Sequence, residues 1–170
     1  MSKNTRRITY TAIAAAIVFV VTRVTYIPVG TAGAYVHFGD AFIYFTAFLL
    51  GGPIAAIAAA LGSAICDLST GYTVYVPATF LIKGLMGLTA GLLIKNRKFW
   101  VFIFASAVGG AIMTAGYALY EICIPGFGPA YALFNIPFNM GQWGASIVIA
   151  AILYPVAIRI QKVIRHDELK

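Results

Sequence analysis

Apolar residues fill this chain in long blocks, cut at intervals by clusters of glycine and proline or of lysine and arginine. A helix needs about 20 apolar residues to cross the hydrocarbon core of a bilayer. The first block covers about residues 8–27, behind Lys3, Arg6 and Arg7. A Pro/Gly segment over 28–38 follows without Lys or Arg. Asp40 begins a short apolar run, 41–50, broken by Gly51-Gly52-Pro53, since glycine and proline punctuate helices. A further run, 54–66, ends at Asp67-Leu68-Ser69-Thr70-Gly71. The pattern then predicts one helix over 76–94, stopped by Lys95-Asn96-Arg97-Lys98, and a second over 99–121. Residues 122–134 read as a Pro/Gly/aromatic loop, and a last helix begins near Asn135 and ends at Arg159, Lys162 and Arg165.

Composition turns these blocks into membrane spans. Of 170 residues, 61% are hydrophobic and 10% charged, with a mean hydropathy of +0.90. A soluble domain carries about 25% charged residues, so this chain has too little charge to clothe a water-facing globule. A cytosolic enzyme, a disordered protein and a free nucleic-acid binder are excluded. What remains is an all-α membrane protein forming a single domain over 1–170. The net charge of +7 is distributed as a topology signal. Runs 41–50 and 54–66 are short, and merging them would make one overlong kinked helix. Six crossings place 10 of the 12 Lys and Arg on one side, leaving only Arg23 and Lys83. A merged helix would put Lys95 and Lys98 on the opposite side. The expected architecture is therefore six transmembrane helices with both termini cytoplasmic. The first block has no small-residue cleavage site and reads as a true span.

Polar residues at membrane depth carry the candidate chemistry. Lys83 lies twelve residues before Lys95, roughly 18 Å from that membrane face, too deep for easy snorkelling. An intramembrane lysine marks a site or a structural ion pair, and both readings stand. Arg23 either snorkels to the outer interface or pairs with Asp40 or Asp67. Asn139 and Gln142, three apart on the last span, share a helix face near the depth of Lys83. They serve a ligand or act as interhelical glue. Tyr117, Tyr120 and Glu121 lie together on the fifth span; Tyr117 is a candidate ligand contact and Glu121 reads as interfacial. His37 ends the first outer loop, with no second histidine to suggest a metal. Together these groups describe a pit open to the outside, without the continuous polar lane of a channel. Cys66 and Cys123 read as buried thiols. No metal-ligand spacing, phosphate-binding glycine loop or nucleophile–base pair is present, so neither catalysis nor a cofactor is expected. Ala12 and Ala16, four apart, form a small-residue face near the cytoplasmic end of the first span, where another helix can approach closely.

Several motifs, in this order and spacing, carry a resemblance. They are Ala12-x-x-x-Ala16 after a basic N-terminus, Gly39-Asp40, Gly51-Gly52-Pro53-Ile54-Ala55-Ala56 with Gly62-Ser63 and Asp67-Leu68, Pro77-Ala78-Thr79-Phe80-Leu81-Ile82-Lys83-Gly84, and Pro137-Phe138-Asn139. Over nearly its whole length the chain resembles the substrate-binding S component of an energy-coupling factor (ECF) vitamin transporter. The resemblance implies six helices in a prokaryotic cell membrane and a vitamin site near the outer face, built from the first loop and spans 4 to 6. It also implies partnership with a transmembrane T component and two ATPases, docked through the alanine face. Lys83, Asn139, Gln142, Tyr117, Asp67 and His37 are the expected site residues. Lys83 either donates to the ligand or holds Asp67 in place. The first loop closes over the ligand, with Gly30 and Gly33 permitting the bend. Riboflavin-binding relatives tend to read Pro-Phe-Asn-x-x-Lys at the start of span 6, whereas position 142 here is Gln. That departure shifts the expected ligand towards pyridoxine or hydroxymethylpyrimidine, with riboflavin, or a self-sufficient ion-coupled carrier, as the alternatives.

The charge bias makes a direct prediction. With the native cysteines replaced, a single cysteine at position 128 reacts with an impermeant thiol reagent in intact cells, and one at position 96 reacts only after permeabilisation. The reverse pattern rejects the six-span topology.

Overall fold

The structure is a computed structural model and describes residues 2–29 and 34–168. Six α-helices lie among those residues: α1 (Lys3–Val24), α2 (Gly39–Leu50), α3 (Gly52–Thr70), α4 (Val76–Leu93), α5 (Phe99–Cys123) and α6 (Pro129–Glu168). Five of them are long and apolar enough to cross a membrane; α2, with 12 residues, is the shorter apolar helix. The break between α2 and α3 falls at Gly51, whose φ of 82° is a left-handed conformation that interrupts the helix. The two runs are therefore separate helices, as the charge pattern requires. At the other end of α3, Gly71 provides a left-handed cap, its N–H bonded to Asp67 O.

Two segments depart from the sequence expectation. The 28–38 segment is not a plain loop: β1 (Ile27–Val29) and β2 (Ala34–Val36) pair antiparallel, Pro28 opposite Tyr35. Branched and aromatic residues on either side of the glycines suit strands, so the chain carries a small sheet beside its helices. Gly30 and Gly33, the expected bend, lie outside the described residues. The second departure is the 122–134 segment. Only residues 124–128 connect α5 to α6, because Gly126 and Gly128 adopt φ of 93° and 89° and turn the chain sharply. Pro129 then starts α6, the position where a missing N–H costs nothing. Helix α6 thus begins six residues before Asn135.

Small residues set the packing. Helix α3 packs extensively on α4 and α1. A Cβ added at Gly87 would lie 2.6 Å from Ala55 O, and one at Gly91 would lie 2.2 Å from Gly52 N. Backbone therefore meets backbone along the α3–α4 seam, the close approach that yields dispersion contacts between helices in lipid. Large apolar side chains point outward instead, among them Ile17, Leu81, Leu85, Trp100, Phe104 and Ile152, as a lipid-facing surface demands. Cys66 is buried as expected, but Cys123 is exposed at the last residue of α5; both are free thiols.

The α3–α4 seam gives a stability prediction. Gly91→Ala forces the backbones apart and costs about 1–3 kcal/mol, seen as a lower Tm of the detergent-solubilised protein. Gly141→Ala, where an added Cβ meets nothing within 4 Å, leaves the Tm at or above wild type.

Candidate functional site

The site begins with an ion pair inside the bundle. Asp40 is the second residue of α2, and Gly39 before it lies so close to α1 that an added Cβ would sit 2.0 Å from Thr22 Oγ1. That approach seats the Asp40 carboxylate in the interior, 0% exposed. Lys83, from the middle of α4, donates to Asp40 Oδ1 at 2.6 Å, and both side chains are 1% exposed. Lys83 therefore holds Asp40 and not Asp67, which corrects one of its two expected roles. Asp67 instead accepts a hydrogen bond from the Tyr35 hydroxyl. Arg23 is exposed, as snorkelling predicts, and does not occupy either carboxylate's bonded position.

Gln142 extends the pair toward the hairpin. Its Nε2 donates to Asp40 Oδ2 at 2.8 Å, and its Oε1 accepts from the backbone N–H of His37 at 3.0 Å. These two bonds fix the amide orientation, because the reverse would set oxygen against carboxylate and N–H against N–H. His37 is 4% exposed, and its Nδ1 accepts from the N–H of Gly39 at 3.0 Å. Burial holds the imidazole pKa down at about 4, so the ring is neutral and carries its one proton on Nε2. The 3.3 Å contact between His37 Nε2 and Gln142 Nε2 consequently joins two N–H groups and is not a hydrogen bond. His37 thus offers an N–H donor at the wall of a cavity. Burial, with Asp67 beside it, raises the pKa of Tyr35, so that hydroxyl keeps its proton and donates.

The cavity lies between the hairpin and helices α3 to α6. It contains about 500 Å³ of space, part of it open to solvent. Of the six site residues expected from sequence, His37, Asp67, Tyr117, Asn139 and Gln142 line it. Lys83 lies behind this wall, its Nζ 5.6 Å from the centre of the Tyr117 ring. Thr79 and Tyr117 exchange a hydrogen bond of 2.9 Å. Asn139 is partly buried, and its side chain makes no hydrogen bond among the described residues. The aromatic part of the wall comes largely from residues that the sequence left unassigned. Tyr35 packs at a tilt against both Tyr26 and Tyr72, with centroids 4.7 and 4.9 Å away, and Tyr75 lies against Phe127 at 5.8 Å. Tyrosine at a predicted loop is the available signal, but it does not separate a ligand wall from an interfacial belt.

Glu121 also departs from expectation. It is not interfacial: its side chain is 3% exposed and lines the cavity. The N–H of Gly128 bonds back to Glu121 O at 3.0 Å, so the short connection and the start of α6 fold over the carboxylate. Its Oε1 accepts from Tyr75 Oη and from Asn135 Nδ2, each at 3.0 Å.

Residues 2–159 match the ECF-type riboflavin transporter S component family. The chain belongs to that family. As an S component it is a membrane protein of vitamin uptake. It is 31% identical over 159 residues to the thiamine precursor transporter HmpT of Lactococcus lactis subsp. cremoris strain MG1363, covering 93% of this chain and 91% of that one. It is also 31% identical over 118 residues to an uncharacterized protein in the gap 3' region of Pyrococcus woesei, covering 69% and 79% respectively. Among solved structures, the S component of a bacterial ECF transporter superposes with a TM-score of 0.76 at 21% identity, covering 94% of this chain and 99% of that one. The likeness shows that the S component described here has that fold.

The geometry separates the two amides of α6. Asn139→Ala removes a free donor and acceptor from the cavity and leaves the buried network intact. Ligand affinity then falls about 5- to 150-fold, equivalent to about 1–3 kcal/mol for a lost hydrogen bond, with an unchanged Tm. Gln142→Ala weakens binding similarly and also lowers the Tm, because Asp40 Oδ2 and the His37 N–H both lose a partner. Titration calorimetry with thermal unfolding distinguishes the two results.

Proposed function

We propose that this chain is the ligand-capturing subunit of an ECF importer in a prokaryotic cell membrane, and that its ligand is a hydroxymethylpyrimidine-type thiamine precursor. The observation that carries this reading is the cavity wall: tyrosine rings, amides, a neutral imidazole and the carboxyl groups of Asp67 and Glu121, with the buried Lys83 behind it paired with Asp40. Such a wall suits a small heteroaromatic ring with several donors and acceptors. Similarity to HmpT over nearly all of both chains supports the same class.

Size argues in the same direction. Asn135 and Gln142 mark the two polar ends of the wall and stand seven residues apart on α6, about 10 Å of helix. A hydrogen bond of about 2.9 Å at each end leaves a span that suits one ring better than a three-ring flavin. Riboflavin is the second reading, favoured by the family that the sequence matches. In both readings the ligand enters from outside, rests on the aromatics and is covered by the hairpin. A T component and two ATPases then drive its release inside. The chain itself makes and breaks no covalent bond. Six crossings, with both termini in the cytoplasm, follow from the charge bias, α2 serving as the short span. Calorimetric titration of the purified protein with hydroxymethylpyrimidine, pyridoxine, riboflavin and thiamine tests the assignment. Tightest binding of hydroxymethylpyrimidine supports it, and tightest binding of riboflavin replaces it with the second reading.

The proposed partner contact rests on Ala12 and Ala16. Both are exposed on α1, whereas Ala14 and Val18 face the bundle. Ala12→Leu with Ala16→Leu therefore leaves ligand affinity within about twofold of wild type, while pushing a docked helix out of dispersion range. Uptake by cells expressing the whole complex falls to background, and the T component no longer co-purifies. Normal uptake would locate docking elsewhere.

A further inference from the structure

Two acceptors on residues that line the cavity have no donor among the described residues. Glu121 is 3% exposed and Asn135 2% exposed, and both line the cavity. Asn135 Nδ2 donates to Glu121 Oε1 at 3.0 Å, and Tyr75 Oη donates to the same oxygen at 3.0 Å. The second carboxylate oxygen, Oε2, and the amide oxygen of Asn135, Oδ1, are buried without a hydrogen-bond partner among the described residues. The amide cannot be turned over to relieve this, because its oxygen would then face the carboxylate. Buried acceptors in native structures are almost always satisfied, and an exception in a cavity wall points to a group that is not part of the chain.

We propose that Glu121 and Asn135 form an acceptor pair that recognises an exocyclic amino group, so that the cavity selects aminopyrimidines over pyrimidines bearing oxygen or hydrogen at that position. This inference rests on the pyrimidine reading above and deepens it. An amino group on an aromatic ring presents two coplanar hydrogens, one for each orphan oxygen, whereas a hydroxyl presents one. A ring carbonyl presents only lone pairs, which would face the lone pairs of Glu121 and Asn135. A ring bearing hydrogen leaves both acceptors buried and unpaired. The far end of the same wall complements this arrangement: the Nε2–H of His37 is a donor suited to an acceptor atom elsewhere on the ligand. Sites built around hydrogen bonds reject analogues that lack the matching group far more strongly than apolar pockets reject a change of size.

The test uses the full-length protein in detergent, titrated with 4-amino-5-hydroxymethyl-2-methylpyrimidine, its 4-oxo counterpart and its 4-unsubstituted counterpart. The amino compound is expected to bind at least about tenfold more tightly than either analogue. Glu121→Gln preserves size and can still accept from Tyr75 and Asn135 through its oxygen, but it turns an N–H toward the ligand. That variant is expected to lose affinity for the amino compound and gain it for the oxo compound, narrowing or reversing their ratio. Loss of a general structural role would weaken both ligands together. Equal binding of the three pyrimidines by the wild-type protein overturns the inference and leaves the pyrimidine reading standing, and so does an unchanged ratio in a folded Glu121→Gln variant. Binding of riboflavin or pyridoxine with no binding of any pyrimidine overturns both. If the variant does not fold, the wild-type series decides alone.

Discussion

The buried pair of Asp40 and Lys83 is the constraint around which the site is arranged. A lysine and an aspartate in a low-dielectric bundle are each expensive alone, and removing one partner leaves the other as an uncompensated charge. The 2.6 Å contact therefore ties the start of α2 to the middle of α4. Asp40 has a second oxygen, which Gln142 of α6 occupies, and Gln142 has a second polar atom, which the backbone of His37 occupies. One carboxylate thus connects three helices and the end of the hairpin through bonds whose directions are mutually fixed. Met113 of α5 lies against both, its sulfur 3.2 Å from Lys83 Nζ and 3.3 Å from Gln142 Nε2. The floor of the cavity is consequently polar and stiff, with the charge of Lys83 paired inside it.

The two halves of the bundle use different means of cohesion. Along α3 and α4, glycine and alanine bring backbones into contact, and the attraction is dispersion. Around the cavity, larger aromatic and amide side chains hold the helices apart and bond to one another across the gap. Close backbone packing along α3 and α4 thus stands beside a cavity lined by side chains.

Much of this was legible in the sequence. The ends of α4 and α5 follow directly from the apolar run of α4 and the basic cluster 95–98, and Gly51 separates α2 from α3 because only glycine adopts its backbone angle readily. Five of the six expected site residues do line one cavity. The partner of Lys83 was not legible, because periodicity reports which residues share a face of one helix and says nothing of which helix that face meets. Asp40 and Asp67 both sit at predicted helix ends, and only the close approach of Gly39 to Thr22 decides between them. Glu121 was misplaced for a related reason. Distance from the end of a run measures depth only if the chain leaves the bundle there, and here the 124–128 turn brings α6 back over it. The hairpin was hidden because its strands are three residues each, too short for alternation to stand out against an apolar background.

The exposed alanines of α1 have a consequence for how long a contact made there lasts. Alanine has no side-chain rotamers to freeze, whereas leucine, methionine or lysine loses rotational freedom when a partner covers it. A helix resting on Ala12 and Ala16 therefore orders almost nothing on this side of the interface, and separation releases almost nothing in return. Covering such a surface would take little rearrangement of α1 itself.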